Sequence, residues 1–170
     1  MDAIPVASKR ILYVEDEEAD VWLMQRAFAA EGMTESLHVV RDGLEAISWL
    51  VGAGQYEDRA KYPLPDLVLL DVHLPKATGH EVLAWIRDQP ALTTLPVIMF
   101  SVSDLEADVA AAYRLGANLY LSKPNGGDLR QVARFLGAWL RLTPPPRAYK
   151  TEWRFGAPPL PTAATETQAA

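Results

Sequence analysis

Pro65-Asp66-Leu67-Val68-Leu69-Leu70-Asp71 sets four consecutive aliphatic residues between a proline-flanked turn and a carboxylate. An apolar run of that length without polar alternation reads as a strand buried on both faces, as in a parallel sheet. The pattern recurs on either side. Arg10-Ile11-Leu12-Tyr13-Val14 stops at Glu15-Asp16-Glu17-Glu18, and a second strand spans 37–40. Val97-Ile98-Met99-Phe100 ends at Ser101, and 118–121 leads into Ser122-Lys123-Pro124. Helices fill the intervals, at about 19–31, 43–51, 79–88, 104–116 and 127–142. In the first, Leu23, Met24, Ala27 and Phe28 share one face at about 100° per residue, and Trp22 falls opposite. Asp42-Gly43-Leu44-Glu45, Thr78-Gly79-His80-Glu81 and Ser103-Asp104-Leu105-Glu106 each pair a capping residue with a glutamate three positions on, the pattern of a capping box. Residues 52–65 are polar and flanked by Gly and Pro, and read as a loop. Five strands, each followed by a helix, predict an α/β chain: a doubly wound parallel sheet with helices on both faces.

Composition narrows the chemistry. The 170 residues carry 16 basic and 22 acidic side chains, a net charge of −6. An acidic surface argues against nucleic acid and anionic membranes as partners, since both need dense positive charge. There is no cysteine, which removes disulfides, thiolate nucleophiles and Cys-ligated zinc. The three histidines, His38, His73 and His80, are scattered and make a poor zinc set. No run approaches the roughly 18 apolar residues of a membrane span, and Met1-Asp2-Ala3-Ile4-Pro5 does not start a secretory signal. A cytoplasmic protein is expected. Three parts are expected as well: an extension at 1–8, one domain at 9–142 and a tail at 143–170. The tail holds six of the thirteen prolines and ends in Thr/Ala-rich sequence, unsuited to a second core.

In open parallel sheets ligands bind beyond the carboxyl ends of the strands. Those ends carry Glu15-Asp16, Asp71, Ser101 and Lys123. Crowded carboxylates repel one another, and a hard divalent cation such as Mg²⁺ relieves the repulsion through oxygen ligands. A carboxylate can act as nucleophile towards phosphorus, and Asp71 is the candidate because the other two acids are adjacent and suit a metal. Lys123 and Ser101 supply a cation and a hydroxyl for a transferred phosphoryl group. Each residue alone has a plain reading: acids at a helix start, a cap, a turn. Their convergence at matching strand ends is what argues for a site.

Together, Ile11-Leu12-Tyr13-Val14-Glu15-Asp16, Leu69-Leu70-Asp71-Val72-His73-Leu74-Pro75 with Gly79, Ser101, and Tyr120-Leu121-Ser122-Lys123-Pro124 resemble the receiver domain of two-component response regulators over about residues 9–142. The stretch before Pro65-Asp66 and the Leu-Ser-Lys-Pro segment are similar to the single-domain regulators that serve bacterial phytochromes. The resemblance implies a flavodoxin-like (βα)5 fold with strand order 2-1-3-4-5. It implies Asp71 as phosphoacceptor for a sensor histidine kinase, and Mg²⁺ held by Glu15, Asp16, Asp71 and the backbone carbonyl of His73. It makes Lys123 the phosphoryl-binding cation, Ser101 the switch hydroxyl and Tyr120 the aromatic that turns inward when that hydroxyl moves. It also places kinase docking on the first helix, where Trp22 is the candidate anchor, and on Pro124-Asn125. Glu15 stands where many members have Asp, Ser101 replaces a frequent Thr, and His73 occupies a position where Asn is common.

Other functions fit less well. A flavodoxin-type cofactor binder needs a phosphate loop after the first strand, and the acidic stretch at 15–20 would repel phosphate. An aspartyl-nucleophile phosphatase wants an acid at position 73, and a TOPRIM-like enzyme wants Asp-x-Asp and a basic surface. A pseudo-receiver acting as a constitutive binding module is the serious rival, although none of the acids nor the lysine is missing. No output domain is expected in the tail, so signalling should run through protein–protein contact. On the last helix Leu129, Val132, Ala133, Leu136 and Leu140 make a core face, while Phe135, Trp139 and Leu142 form a second apolar stripe roughly 120° away. That stripe, with Trp153 and Phe155 of the tail, predicts a homodimer.

Overall fold

Every residue of Ile11–Val14, Leu67–Leu70 and Val97–Ser101 is buried, because successive side chains enter opposite layers of one sheet. In the computed structural model, which describes residues 9–125 and 128–142, the strands are β1 (Ile11–Val14), β2 (Leu37–Val40), β3 (Leu67–Leu70), β4 (Val97–Ser101) and β5 (Leu119–Ser122). They pair in parallel in the order β2-β1-β3-β4-β5. The helices are α1 (Glu18–Ala30), α2 (Gly43–Val51), α3 (Gly79–Asp88), α4 (Glu106–Arg114) and α5 (Arg130–Leu142). Leu12, Val14, Val68, Leu70, Val97 and Met99 face a core closed by α2, α3 and α4. Ile11, Tyr13, Leu67, Leu69, Ile98 and Phe100 face the other, closed by α1 and α5. The expected architecture and strand order are therefore present.

The caps show what starts the helices. Thr78 accepts from the Glu81 amide while Glu81 reaches back to the Thr78 amide, a complete capping box. Asp42 caps α2 by accepting from the Glu45 amide at 2.7 Å, but Glu45 turns one residue further back and accepts from the Arg41 amide. The third expected box does not form. Ser103 instead donates to Asp108 at 2.5 Å, leaving Leu105 as N-cap without a side-chain bond. The nearby carboxylate offers the hydroxyl proton a charged acceptor.

Three further expectations change. Leu23 lies at the edge of the α1 stripe and is 44% exposed, and Val21 takes the core position beside Met24, Ala27 and Phe28. Residues 52–65 are not merely a polar loop. A short 3₁₀ turn at Gly54–Tyr56 drives Tyr56 into the core against Trp49, and Tyr62 packs edge-on to both. Arg59 then donates to the carbonyls of Trp49 and Leu50 at 2.7 Å each, satisfying the end of α2. Helix α5 begins at Arg130, where Asp128 accepts from the Arg130 amide at 2.9 Å. The extension at 1–8 and the tail at 143–170, with Trp153 and Phe155, lie outside the described residues.

Candidate functional site

The sheet ladder runs slightly past the strands, and that is how the acids meet. The Glu15 amide donates to the Val40 carbonyl at 3.1 Å, and the Asp71 amide to the Val14 carbonyl at 3.2 Å. Glu15 and Asp71 thus sit side by side at the carboxyl edge of β1 and β3. The Lys123 amide donates to the Ser101 carbonyl at 2.8 Å, continuing β4 and β5 in the same way. Gly79 closes the loop after β3: a Cβ there would lie 1.9 Å from the Asp71 carbonyl oxygen, so only glycine lets α3 start so close to the nucleophile candidate.

The Lys123 ammonium is the centre of the site. It donates to Asp71 at 2.5 Å, to Asp20 at 2.8 Å, and to Glu15. Glu15 is only 1% exposed. One of its oxygens also accepts from the Tyr13 hydroxyl at 3.0 Å and the other from the Glu17 amide at 3.0 Å. Burial raises the Glu15 pKa, while Lys123 and the Glu17 amide pull it back down. Burial alone would lower Lys123, but the three carboxylates outweigh it and hold the ammonium above its ordinary range. Asp71 accepts from the His73 amide at 3.2 Å through its second oxygen.

The other expected residues are arranged around this centre. Asp16 and the His73 side chain are exposed at the rim. Ser101 is fully buried at the end of β4, and its oxygen accepts from the Ser103 amide at 3.4 Å. Tyr120 is half-buried and donates to the Ser103 carbonyl at 2.7 Å, so it packs towards the loop that follows Ser101. Pro124 and Asn125 are exposed. A hollow of about 260 Å³ beside the site has Leu23, Phe100, Pro124 and Leu129 as apolar walls, with Asp20 and Lys123 among its lining residues. Trp22 is 53% exposed but lines a different hollow, with Arg26 stacked 4.6 Å from its ring. The α1 residue that adjoins Pro124 is therefore Leu23.

Sequence reading did not place Tyr13 or Asp20 in the site, and it took Ser103 only as a helix cap. Tyr13 looked like one more apolar strand residue. Asp20 was hidden in an acidic run whose ordinary reading is favourable charge at a helix start. Its signal was position: one turn into α1, on the side that faces the strand ends.

The donor set is all oxygen and its charge is unbalanced, with Glu15, Asp20 and Asp71 sharing one ammonium. Among the described residues no group of three His, Cys, Asp or Glu side chains is arranged, as it stands, to hold a metal ion. Surplus negative charge on hard oxygen atoms nonetheless fits a divalent cation at the rim, next to Asp16 and Asp71.

A family model for the response regulator receiver domain matches residues 11–134. The chain belongs to this family. Response regulator Rcp1 of Synechocystis sp. is 40% identical over 142 residues, covering 82% of this chain and 95% of that protein. The structure of the Mn²⁺-bound form of Rcp1 matches with a TM-score of 0.72, covering 81% of this receiver and 99% of that chain at 40% identity. The phosphorylated cyanobacterial phytochrome response regulator RcpA matches at 0.73, with 38% identity and coverage of 81% and 97%. This receiver is thus a two-component signalling protein related to phytochrome response regulators. Receiver domains bind Mg²⁺ or Mn²⁺ at an acidic pocket, and a histidine kinase is the partner the family implies. Among the described residues no helix is long and apolar enough to cross a membrane.

Proposed function

We propose that this chain is a response regulator of the cytoplasm that takes a phosphoryl group from a phosphohistidine of a sensor kinase onto Asp71. The observation that carries the reading is the 2.5 Å contact between Lys123 and Asp71 at the carboxyl edge of the sheet. A carboxylate oxygen of Asp71 attacks phosphorus, the phosphorus–nitrogen bond breaks, and its electron pair returns to the imidazole. Asp71 is held for that attack by the His73 amide on one oxygen and Lys123 on the other. Lys123 offsets charge on the transferred phosphoryl oxygens. Asp16, Asp71, the His73 carbonyl and, more remotely, Glu15 are the residues that would hold Mg²⁺, which when bound neutralises phosphoryl charge. Ser101 is buried one strand away, ready to turn its hydroxyl to the new acceptor, and Tyr120 on the adjacent strand repacks with the loop between them.

Two partner surfaces complete the reading. The kinase docks across α1 and Pro124-Asn125, where Leu23, Pro124 and Leu129 wall an apolar hollow next to Lys123. The likeness to RcpA supports a bacterial phytochrome as the kinase class. A homodimer forms on the α5 stripe of Phe135, Trp139 and Leu142, continued by Trp153 and Phe155.

Intact mass spectrometry tests the central claim. With Mg²⁺ and acetyl phosphate, or with a panel of histidine kinases that includes a phytochrome, the protein gains one phosphoryl mass and Asp71→Asn gains none. A constitutive binding module, the rival reading, gains none in either form. Labelling should cease with a chelator and fall further in Asp16→Ala than in Glu15→Ala, because Glu15 is already engaged by Lys123, Tyr13 and the Glu17 amide.

A further inference from the structure

An ammonium has three N–H donors, and each donor of Lys123 has a carboxylate: Glu15 from β1, Asp71 from β3 and Asp20 from α1. Two of these acids lie at the strand ends. Asp20 is different, because it comes from the first turn of a helix and its side chain makes no other hydrogen bond or ion pair among the described residues. Its side chain is 31% exposed, whereas Lys123 is 7% exposed. The neighbouring first-turn acid Glu18 faces solvent. If Asp20 merely complemented the helix dipole, solvent would serve it equally well. Instead it crosses to a lysine 103 residues away.

We propose that Asp20 is a positioning residue that holds the Lys123 ammonium in line with Asp71. This rests on Asp71 being the phosphoacceptor. Lysine is a flexible four-carbon arm, and immobilising it costs rotamer entropy that must be met before reaction. Asp20 meets that cost in the resting protein. It anchors one donor from the side opposite the strands, leaving the donor on Asp71 aimed at the place where phosphoryl oxygens arrive. Asp20 itself touches neither the phosphorus nor the attacking oxygen.

The test compares Asp20→Ala, Asp20→Asn and Glu18→Ala with the wild type, using acetyl phosphate as donor at saturating Mg²⁺. Charge-assisted hydrogen bonds of this kind are worth enough for a roughly tenfold effect. Asp20→Ala slows labelling of Asp71 about tenfold, Asp20→Asn slows it less because its carbonyl still accepts, and Glu18→Ala labels at the wild-type rate. In a Lys123→Ala background, Asp20→Ala adds nothing, since the residue it positions is gone. The side-chain nitrogen resonance of Lys123 gives a second readout that needs no phosphorylation: resolved in wild type, exchange-broadened in Asp20→Ala at unchanged melting temperature. Wild-type labelling by Asp20→Ala, equal slowing with and without Lys123, or an unaltered Lys123 resonance overturns the proposal. A wild type that takes no label while its Lys123 resonance still depends on Asp20 overturns the phosphoacceptor reading instead.

Discussion

The Tyr13 hydroxyl donates to Glu15 at 3.0 Å, two residues along the same chain and on the same side of the sheet. Tyr13 is completely buried, with its ring against Phe100, so the hydroxyl has been carried into the core to meet a carboxylate that is itself buried. Burial, and then the charge of Glu15, push the phenol far above its ordinary pKa and keep it a donor at all physiological pH. The pair shows how the receiver keeps a glutamate where many relatives have a shorter acid. The extra methylene is taken up by drawing the carboxylate inward, onto Tyr13, Lys123 and the Glu17 amide.

Removing that hydroxyl should therefore loosen Glu15 without emptying the core. Tyr13→Phe preserves the ring and is expected to cost about 1.5–3 kcal/mol of stability, the worth of a hydrogen bond to a charged group. Urea unfolding measures it. The same variant should label more slowly with acetyl phosphate, because Lys123 then shares a carboxylate that has lost one of its tethers. A variant as stable as wild type would show that the contact contributes nothing net.

Gly79→Ala is expected to do as much damage with one added methyl as many core truncations do by removing several. The new Cβ would stand 1.9 Å from the Asp71 carbonyl oxygen and 3.0 Å from the Val72 Cα, all backbone atoms that cannot rotate away. Overpacking of this kind costs about 3 kcal/mol or forces the loop to shift. Either way Asp71 moves relative to Lys123. Unfolding by urea should show the loss, and the folded fraction should label poorly with acetyl phosphate.

The strands were legible because burial on both faces writes an unbroken apolar run, and β3 begins and ends where Leu67-Val68-Leu69-Leu70 does. The convergence of Glu15, Asp71 and Lys123 followed from connectivity, since parallel strands put all their carboxyl ends on one edge. What the sequence concealed was direction. Leu23 and Trp22 are both apolar and adjacent, and a rotation of one helical position decides which one faces Pro124. Ser103 could have accepted from a helix-start amide as a cap, and only the fold shows that its hydroxyl donates to Asp108 while the cap bond is not made. Tyr56 and Tyr62 were separated by charged residues, so no periodicity marked them as core.

His38 gives a pH dependence whose sign is fixed by burial. Its Nε2 is buried with no hydrogen-bond partner among the described residues, and the ring lies 5.3 Å from that of Trp49. Desolvation first, and then the charge of Arg10, lower its pKa below the ordinary value. The unfolded histidine takes up a proton near pH 6.5. The folded one does so only at lower pH, so the unfolded state binds more protons as pH falls through that window. Stability is thus full above about pH 6.5 and drains away below it. Melting temperature measured from neutral to mildly acidic pH should fall more steeply for wild type than for His38→Phe. Parallel curves would remove His38 from the account.

Kinase docking should separate the two exposed large apolar residues of α1. Leu23 borders the hollow with Pro124 and Leu129, while Trp22 lies in the hollow on the far side, next to Leu37. Buried apolar anchors dominate interface energy. Leu23→Ala should slow transfer from a cognate kinase roughly tenfold, which equals about 1.4 kcal/mol, with acetyl-phosphate labelling intact. Trp22→Ala tests the alternative anchor. Slower transfer in Trp22→Ala alone would move the docking surface towards the β2 edge.

The α5 stripe leads to the last prediction. Phe135 and Trp139 stack with ring centroids 6.1 Å apart, and Leu142 is 83% exposed at the end of the helix. Leu136, Leu140 and Ala133 fill the core and Trp139 is partly buried against it, which leaves Phe135 and Leu142 as the exposed members of the stripe. Thr143-Pro144-Pro145-Pro146 and the tail beyond, outside the described residues, follow directly. Trp153 and Phe155 in that tail offer apolar area whose burial against a second copy is worth roughly 25 cal/mol per Å². Sedimentation of the full chain and of a chain ending at Thr143 should then show a dimer weakened by the truncation, with Asp71 labelling unchanged in both. Phe135→Ala in the full chain should weaken the dimer as well, because Phe135 is an exposed member of the stripe. A monomeric full-length protein, or a truncated chain that dimerises as tightly, would make the stripe a surface for a different protein.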